Sequence, residues 1–324
     1  MNIVVVGYGS AGRRHLDNLL KLKKVRAVTI CTSHAGIVPV QDPRVRFVSS
    51  LEDVVSRKSD NRNGFDFAIV ANETGRHIET SVLLAGRGLS LFIEKPLSHT
   101  VEGINVLEEL VRKKGLKAFI AYNFRFMGAI RRIREELKTG RLGKLYFSRI
   151  EAGQYLPQWR PCDDYRRSYS ASSARGGGVG LDLSHELDYM RMLFGDPVEW
   201  KVVRSYSGAL EINSEDVFEG IYSYKSGFVC SVHLDYLQAE KKRMIRIDGS
   251  KGMLECDLVR KQMSITGEDG RAIIDSADMF DLNSTYLDEI LHFIDVIENG
   301  REPDVCIKDG IAALRLLEDS SVQG

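Results

Sequence analysis

A glycine-rich turn near the start of the chain has the spacing that binds the diphosphate of a dinucleotide. The segment reads Gly7-Tyr-Gly-Ser-Ala-Gly12 and directly follows the apolar residues 3–6. Gly7 permits a tight turn, Gly9 lets the backbone approach the pyrophosphate, and Gly12 lets a helix pack closely on the strand. The N-terminus of that helix offers unpaired N–H groups to the diphosphate. The predicted cofactor contacts are Gly7, Tyr8, Gly9, Ser10, Ala11 and Gly12.

The end of the second predicted strand bears on the choice between NAD and NADP. This corner reads Cys31-Thr-Ser-His34, without the carboxylate that binds the adenosine ribose of NAD. Thr32 and Ser33 are compatible with a ribose 2′-phosphate, and so is Arg13 or Arg14 of the first helix. These arginines are equally compatible with solvated charges on a first helical turn. The expected cofactor is NAD or NADP, with NADP slightly favoured.

Alternating strands and helices must position this turn. Apolar runs predict strands at residues 2–6, 26–31, 65–70, 89–93 and 117–121. Helical spacing predicts helices between them, at residues 11–22, 51–57, 77–87 and 101–114. Such alternation is typical of a parallel, doubly wound sheet. Residues 1–123 are therefore predicted to form an NAD(P)-binding Rossmann domain.

The pattern changes after Asn123. A helix is predicted at residues 129–138, followed by strands at 144–150, 217–224, 228–236 and 244–248 and by helices near 286–298 and 307–318. The strands alternate apolar and polar residues, as in a sheet with one covered face. The predicted fold class is α/β: an N-terminal doubly wound parallel sheet, then a C-terminal α+β domain at residues 124–324 with an open, largely antiparallel sheet.

Composition argues against several classes of partner and site. The chain has 45 Lys and Arg against 45 Asp and Glu, spread along its length, so we expect neither nucleic acid nor membrane as a partner. Without a signal-peptide pattern or a transmembrane-length apolar stretch, a cytoplasmic protein is expected. The five cysteines lack Cys-x-x-Cys spacing, and no His, Cys or acidic cluster has metal-ligand spacing. No metal is expected.

Four more motifs follow predicted strands or lie in the second domain. They are Ala71-Asn-Glu-Thr-Gly-Arg-His77, Glu94-Lys-Pro-Leu97, Tyr122-Asn-Phe-Arg-Phe126 and Gly176-Gly-Gly-Val-Gly-Leu-Asp-Leu-Ser-His-Glu-Leu-Asp188. Together with the glycine turn, they resemble the Gfo/Idh/MocA family, which includes glucose-fructose oxidoreductase and inositol dehydrogenase. The resemblance covers essentially the whole chain. It implies an NAD(P)-dependent dehydrogenase or reductase that acts on CH–OH groups.

The resemblance also implies the catalytic residues. In the family, the lysine of the E-K-P motif lies at the nicotinamide and the substrate, and its bond to proline is commonly cis; here it is Lys95. Lys95 also follows a parallel strand, at the sheet edge where ligands bind. The family's aspartate and histidine match Asp182 and His185, which are one position closer together than is usual. A spacing of three still places both on one helical face.

These three residues suit hydride chemistry. Oxidising an alcohol needs a base that takes the hydroxyl proton while hydride leaves the carbon. His185 is the expected base, and the acid in the reverse direction, because histidine titrates in the useful range. Lys95 is expected to hold the reacting oxygen and Asp182 to orient the substrate, with these two roles exchangeable. Without the resemblance, His185 would be interpreted as an ordinary helix residue.

The resemblance places a further set of residues along the cofactor: Ala71, Asn72, Thr74, His77, Glu94, Lys95, Pro96 and Asn123. Thr74 or Asn72 could instead cap the following helix. Glu73 stands where proline is usual in the family, which leaves the shape of the local turn open. Arg125 is interpreted either as a substrate contact or as part of an interdomain salt bridge.

A polar loop at residues 154–169 is rich in aromatic residues and arginines, which stack on sugars and bond carboxylates or phosphates. Its W-R-P and D-Y-R pattern resembles family members linked to bacterial surface sugars. This implies a nucleotide sugar or an acidic sugar of surface-glycan biosynthesis as substrate. The predicted substrate contacts are Arg125, Trp159, Arg160, Tyr165 and Arg166. Packing between subunits is an equally good interpretation of this loop.

Two other functions stay open. The substrate could be a polyol, a dihydrodiol or a ketone, because the family includes such enzymes. Alternatively, the chain could be a nucleotide-sensing regulator without turnover, although the lysine and the histidine favour an enzyme. The family also implies a homodimer or homotetramer formed through the open sheet.

Overall fold

The computed structural model describes residues 1–33, 40–55, 64–159, 164–268, 270–274 and 276–320. The chain divides into two units. The N-terminal unit combines Met1–Tyr122 with Tyr286–Ile311, and the second unit combines Asn123–Thr285 with the chain from Ala312 onward. Residues 286–311, which were predicted to belong to the second domain, thus group with the N-terminal unit.

The N-terminal unit is built on a six-stranded sheet whose paired strands are all parallel. Its strands are β1 (Asn2–Val6), β2 (Ala27–Cys31), β3 (Val45–Val48), β4 (Phe67–Val70), β5 (Ser90–Glu94) and β6 (Ala118–Ala121). The order is β3-β2-β1-β4-β5-β6, so the direction of winding reverses between β1 and β4. Ligands bind at the carboxyl ends of strands beside such a reversal. The doubly wound sheet that the sequence predicts is confirmed, with β3 as an additional edge strand.

The helices of this unit agree closely with the predicted segments. They are α1 (Ser10–Leu20), α2 (Leu51–Val55), α3 (His77–Gly86) and α4 (Ile104–Lys113). Helix α4 begins later than predicted because Gly103 precedes it with φ +73°, outside the helical region.

A later segment completes the N-terminal unit because its apolar side chains cover the sheet. Helix α8 runs from Leu282 to Asn299. The ring of Phe293 is fully buried and lies 5.1 Å from that of Phe67 and 5.9 Å from that of Phe92. Beyond the helix, the Val305 carbonyl accepts a hydrogen bond of 3.1 Å from Ile120 N–H of strand β6. Residues 286–311 therefore belong to the N-terminal unit.

The second unit contains an eight-stranded sheet. Its strands are β7 (Leu145–Gly153), β8 (Glu199–Ser205), β9 (Val217–Ser223), β10 (Val229–Asp235), β11 (Lys242–Gly249), β12 (Gly252–Asp257), β13 (Gln262–Gly267) and β14 (Gly270–Ile274). Their order is β14-β13-β12-β11-β7-β10-β9-β8. The pair β7–β10 is parallel and the other pairs are antiparallel, so the predicted largely antiparallel sheet is confirmed.

Helices α6 (Val179–Asp182) and α7 (His185–Phe194) pack on this sheet, and α5 (Gly128–Lys138) packs on α7. Helix α9 (Ile307–Arg315) comes later in the chain, where the division between the two units falls. Along β10, Cys230, Val232 and Leu234 are fully buried, whereas Ser231 and His233 are half-buried. This alternation distinguishes the covered face from the open one.

Among the described residues, no helix combines the length and the apolar character that crossing a bilayer requires. Cys31, Cys230, Cys256 and Cys306 are free thiols.

Candidate active site

Three glycines occupy different environments at the end of β1. Gly7 has φ +99°, and a Cβ there would lie 2.4 Å from the Ala71 carbonyl oxygen. A Cβ on Gly12 would lie 2.1 Å from the Gly7 carbonyl oxygen. A Cβ on Gly9 would meet no described atom within 4 Å. The fold thus requires Gly7 and Gly12, whereas the exposed Gly9 leaves room for a phosphate at the N-terminus of α1.

The other residues of the turn are also accessible. Ser10 begins α1 and is exposed, while Tyr8 and Ala11 are half-buried. The Tyr8 ring packs edge-on against Phe47 of β3 with centroids 5.3 Å apart. The turn therefore combines open backbone with one anchored aromatic ring.

The corner after β2 lacks an acidic group in its described part. Thr32 N–H donates a hydrogen bond of 3.0 Å to the Val48 carbonyl, so the backbone here continues the β2–β3 pairing. Thr32 is half-buried and Ser33 is exposed. His34, the last residue of the predicted corner, lies outside the described residues.

The two arginines of α1 face different partners. The Arg13 guanidinium lies 5.1 Å from the centroid of the Tyr8 ring, and its Nε donates to the Tyr8 carbonyl at 3.3 Å. The Arg14 guanidinium lies 4.1 Å from the centroid of the Tyr286 ring. Arg13 thus stays beside the glycine turn, whereas Arg14 is directed to α8.

The His77 ring contacts two loops of the N-terminal unit through its two nitrogen atoms. Its Nδ1 lies 2.9 Å from the Pro96 carbonyl oxygen and its Nε2 lies 3.1 Å from the Asn72 carbonyl oxygen. Burial lowers the pKa of His77, so the ring is neutral near pH 7 and has one N–H to donate. The Asn72 side chain donates to Thr80 Oγ1 at 2.8 Å. These two predicted cofactor residues therefore contact the protein's own loops.

Glu73 keeps the turn shape that a proline would have. Its φ of −67° and ψ of 142° lie where proline is restrained. Thr74 follows as the first, buried residue of a short 3-10 turn that leads into α3. A proline at position 73 would therefore fit the same backbone conformation.

Glu94, Lys95 and Pro96 stand at the carboxyl end of β5, and the Lys95–Pro96 peptide bond is cis, as the resemblance implies. Lys95 is half-buried. Its N–H donates to Glu94 Oε2 at 3.2 Å, and His15 Nε2–H donates to Glu94 Oε1 at 2.6 Å. The Glu94 carboxylate thus points into the protein and ties β5 to helix α1.

In the second unit, Asp182 and His185 do not share one helix, contrary to the spacing argument. Asp182 ends α6 and His185 begins α7, and the chain breaks its helical path at Leu183 and Ser184. Leu183 has φ −102° and ψ 29°, which is outside the α-helical region. Both predicted side chains are buried, with exposures of 5% for Asp182 and 6% for His185.

Asp182 is hydrogen-bonded by a tyrosine that was not among the predicted site residues. The Tyr236 hydroxyl donates to Asp182 Oδ2 at 2.6 Å, and Tyr236 is fully buried. Burial, followed by the neighbouring carboxylate, raises the pKa of Tyr236 well above its ordinary value. The Trp159 ring packs edge-on against Tyr236 with centroids 5.3 Å apart. The predicted substrate residue Trp159 and the predicted catalytic residue Asp182 therefore contact the same tyrosine.

His185 is supported by an aromatic ring. Its imidazole lies edge-on to Phe124 with centroids 4.6 Å apart. The Arg243 guanidinium lies 4.6 Å from the centroid of the same ring, and its Nε lies 2.7 Å from Glu186 Oε1. The positive charge near His185 is thus balanced by the buried Glu186 carboxylate.

The glycines before α6 pack against protein atoms. A Cβ on Gly177 would lie 2.1 Å from the Tyr169 carbonyl oxygen, and one on Gly178 would lie 2.4 Å from Glu215 Oε2. Gly180 N–H donates to Glu215 Oε1 at 3.3 Å, and burial raises the pKa of Glu215. These glycines therefore allow a carboxyl group to approach the start of α6.

Arg125 forms a forked ion pair within the second unit. Its Nη2 lies 2.6 Å from Asp188 Oδ1 and its Nε lies 2.9 Å from Asp188 Oδ2. Both partners belong to one unit, so this salt bridge is not interdomain. Asn123, predicted to contact cofactor, donates to Thr285 Oγ1 at 2.7 Å and is buried.

Of the other predicted substrate residues, Arg166 is exposed. Arg166 Nε lies 3.0 Å from Asp164 Oδ1 and its Nη1 lies 3.1 Å from Glu211 Oε2. Tyr165 begins a short 3-10 turn and is half-buried. Arg160 lies outside the described residues. Arg166 is therefore charge-balanced by two carboxylates.

Two family models match the chain, one in each of these two units. Residues 1–122 match the oxidoreductase family model with an NAD-binding Rossmann fold, and residues 130–255 match the GFO/IDH/MocA C-terminal domain. Myo-inositol 2-dehydrogenase of Thermotoga maritima is 25% identical over 98% of this chain and 94% of its own.

Two solved structures have the same fold. Levoglucosan dehydrogenase in complex with NADH and levoglucosan superimposes with a TM-score of 0.82 at 17% identity, covering 98% of this chain and 95% of its own. The WlbA dehydrogenase from Bordetella pertussis, in complex with NADH and UDP-GlcNAcA, gives a TM-score of 0.80 at 17% identity, covering 98% and 93%. The chain belongs to the Gfo/Idh/MocA family of oxidoreductases, and its N-terminal unit is an NAD-binding Rossmann domain.

Proposed function

We propose that this oxidoreductase transfers hydride between the nicotinamide of NAD(P) and a carbon that bears a hydroxyl or carbonyl group in a sugar. One relationship carries the proposal: the Gly7 turn, Ala71 and Lys95 follow β1, β4 and β5, which are neighbours in one parallel sheet. They therefore share its carboxyl edge, where this class of fold binds its ligands. A lysine at that edge supplies a positive charge for a reacting oxygen.

The cofactor fits the chain at the glycine turn. Gly9 leaves open space in front of α1, and the backbone N–H groups there suit a diphosphate. When bound, the nicotinamide accepts or gives the hydride. The 2′-phosphate of NADP is compatible with Arg13, Thr32 and Ser33, because no carboxylate stands in the described part of that corner.

The protein side chains handle the proton and the oxygen. In the oxidative direction, the substrate hydroxyl proton passes to the imidazole of His185 as the hydride leaves the carbon. Lys95 stabilises the negative charge that develops on the oxygen. Asp182, fixed by Tyr236, orients the substrate. In the reductive direction, His185 returns the proton to the oxygen.

We propose a nucleotide sugar or an acidic sugar as the substrate. The loop around Trp159 and Tyr165 offers rings for stacking, and a relative of the same fold binds UDP-GlcNAcA. A free polyol is the second candidate, because Asp164 and Glu211 already neutralise Arg166 and a full-length relative is an inositol dehydrogenase.

A substrate panel separates these candidates. Purified protein is mixed with NADH or NADPH and with nucleotide sugars, sugar acids or cyclic polyols in the appropriate direction, and nicotinamide absorbance is followed. We expect turnover with nucleotide or acidic sugars, and we expect Trp159→Ala to reduce it. Trp200→Ala serves as the control and should retain turnover, because the Trp200 indole donates to the Glu318 carbonyl. Turnover of polyols alone would favour the second candidate. Cofactor binding without turnover of any class would favour a nucleotide-sensing regulator.

We also propose that the second unit forms a homodimer or homotetramer through the open face of its sheet. Apolar side chains are exposed there, including Val203 at 65% and Ile221 at 55%. Light scattering of the purified chain tests this, and a monomer at micromolar concentration would contradict it.

A further inference from the structure

Three ionisable side chains meet inside the N-terminal unit, and one of them belongs to the residue that directly precedes Lys95. They are His15 of α1, Glu94 at the end of β5 and Glu289 of α8, and one potential ligand atom from each lies within 4.8 Å of the others. His15 and Glu289 are fully buried, and the Glu94 side chain is 13% exposed. This His15–Glu94–Glu289 cluster was not predicted, because its members are far apart in the sequence.

The two carboxyl groups of the cluster differ in their hydrogen bonding. Glu94 accepts hydrogen bonds at both oxygens, from His15 Nε2–H at 2.6 Å and from Lys95 N–H at 3.2 Å. In the part of the chain that the structure describes, neither oxygen of Glu289 has a hydrogen-bond partner, and neither does His15 Nδ1. Glu94 thus has the donors that an ionised carboxylate needs, whereas Glu289 has none.

The electrostatic environment also favours a protonated Glu289 and an ionised Glu94. A buried carboxylate without a donor is strongly unfavourable and takes up a proton instead. Burial first, and then the negative charge of Glu94, raise the pKa of Glu289 well above its ordinary value, against a smaller opposing effect of Arg14. Burial opposes ionisation of Glu94 as well. There the hydrogen bond from His15 and nearby positive charge, including Lys95, outweigh it and hold the pKa of Glu94 below its usual range.

We propose that Glu289 is a protonated carboxylic acid in the folded protein and that, through Glu94, it is a positioning residue for Lys95. The protonated acid leaves one negative charge, on Glu94, beneath the end of β5. A second negative charge would hold the Lys95 ammonium toward the protein interior and away from a substrate oxygen. The effect on Lys95 rests on the proposed function, whereas the protonation of Glu289 does not.

Other charged or titratable groups also face this cluster and contribute to any pH dependence. Arg14 lies next to His15 on α1, and its guanidinium stacks on Tyr286 of α8. From the end of β5 comes Lys95, and at the start of α3 stands His77, whose pKa burial lowers. A comparison of variants that differ only at Glu289 cancels the titration of these groups.

The sign of the effect on stability follows from linkage. Below the ordinary glutamate pKa of 4.5, Glu289 is protonated in both the folded and the unfolded chain. Above it, the folded chain keeps the proton and the unfolded chain releases it, so rising pH favours unfolding. This contribution to stability is lost progressively until pH passes the raised pKa of the folded state. Glu289→Gln mimics the neutral acid and has no such dependence.

The test is urea unfolding of the full-length wild type, Glu289→Gln and the control Glu94→Gln between about pH 5 and pH 8. Relative to Glu289→Gln, the unfolding constant of the wild type should rise up to roughly tenfold per pH unit. Glu94→Gln should be less stable than the wild type at pH 7, because it removes the ionised member. A pH-independent ratio, or a stable Glu94→Gln beside an unstable Glu289→Gln, would overturn the proposal.

Two further measurements do not depend on how well a variant folds. The wild type at neutral pH should have an infrared carbonyl band of a protonated carboxylic acid that shifts in D₂O and with ¹³C-labelled glutamate. Elemental analysis should find no stoichiometric divalent metal. Absence of the band would contradict a protonated Glu289. One bound metal per chain would mean that the cluster is a metal site instead.

The positioning role has its own readout. In the enzyme with its cofactor and substrate, Glu289→Gln should move the alkaline limb of the pH profile of kcat/KM, and Glu289→Ala should lower kcat at every pH. Identical pH profiles for Glu289→Gln and the wild type would refute the link to Lys95. Because unfolding and infrared spectra need no substrate, failure of the protonation claim is distinguishable from failure of the proposed function.

Discussion

The Tyr236 hydroxyl donates a hydrogen bond of 2.6 Å to Asp182 Oδ2, which joins the last residue of helix α6 to the chain just after strand β10. A buried carboxylate that accepts such a bond has a fixed orientation. The Trp159 ring packs edge-on against the same tyrosine ring, with centroids 5.3 Å apart. Tyr236 thus sets the position of a carboxylate that we propose to face the substrate.

Removal of this hydroxyl tests that assignment. Tyr236→Phe should lower kcat/KM about tenfold, equivalent to ~1.4 kcal/mol of transition-state stabilisation, without changing cofactor affinity. The matched control is Tyr222→Phe, because the equally buried Tyr222 donates to the Leu316 carbonyl at 2.7 Å. The control should lose about 1 kcal/mol of stability but no activity. Equal kinetic effects of both substitutions would show that Tyr236 is only structural.

Substitutions at two glycines of the turn should have different effects, one on cofactor binding and the other on stability. The methyl group added by Gly9→Ala would have no described atom within 4 Å, so the substitution should change the free energy of unfolding by less than about 1 kcal/mol. It should weaken NAD(P)H binding at least about tenfold, or ~1.4 kcal/mol, because the methyl group occupies the space for the diphosphate. Gly12→Ala should instead destabilise the fold by about 1–3 kcal/mol or more, since its Cβ would meet the Gly7 carbonyl. Fluorescence titration and urea unfolding measure the two effects. Undiminished binding by Gly9→Ala would place the diphosphate elsewhere.

The choice between cofactors can be tested at two neighbouring arginines. Arg13→Ala should weaken NADPH binding about tenfold and NADH binding little, because one charge-assisted bond to a 2′-phosphate is worth about 1.5–3 kcal/mol. Arg14→Ala, which removes the group stacked on Tyr286, should not change the ratio of the two affinities. If Arg13→Ala leaves that ratio at the wild-type value, a role for Arg13 in NADP selection is wrong.

The buried pair of Arg125 and Asp188 predicts a large stability effect. Arg125→Ala removes the forked ion pair from the Asp188 carboxylate, which is 1% exposed, and should cost about 3–5 kcal/mol. Arg166→Ala removes an exposed arginine with two carboxylate neighbours and should leave the unfolding midpoint unchanged. Urea unfolding compares the two. A small loss for Arg125→Ala with a normal KM would contradict the structural role, and a raised KM in a stable protein would favour substrate contact.

Local signals in the sequence account for most of the fold. The turn from Gly7 to Gly12 and the apolar strands predict the parallel sheet, because backbone geometry and burial act within a few residues there. Strand β3 was not predicted because Val45–Val48 is short, contains Arg46 and is only partly buried at the sheet edge. Residues 286–299 of helix α8 were predicted to belong to the second domain, but in the structure they group with the N-terminal unit. Their packing on Phe67 and Phe92 is non-local, so no local pattern marks it.

The candidate site was predictable in part, for the same physical reason. Lys95 and Gly9 lie beside recognisable strand ends; Gly9 was predicted from the glycine spacing, and Lys95 from the family resemblance of its E-K-P motif. The spacing of Asp182 and His185 predicted one helix, but the chain bends at Leu183 and gives each residue its own helix end. Tyr236 and Glu289 matter through contacts with distant segments, and no local pattern marks such residues.

The most direct test of the central claim separates cofactor binding from turnover in Lys95→Ala and His185→Ala, with Lys138→Ala as a control at an exposed ion pair with Glu135. We predict NAD(P)H dissociation constants within a few-fold of the wild type and a kcat lower by roughly 10²–10⁴ for His185→Ala, the range expected for loss of a general base. Lys95→Ala should also lose most turnover, while Lys138→Ala should keep it. Wild-type kcat in either active-site variant would contradict hydride transfer assisted by these two side chains.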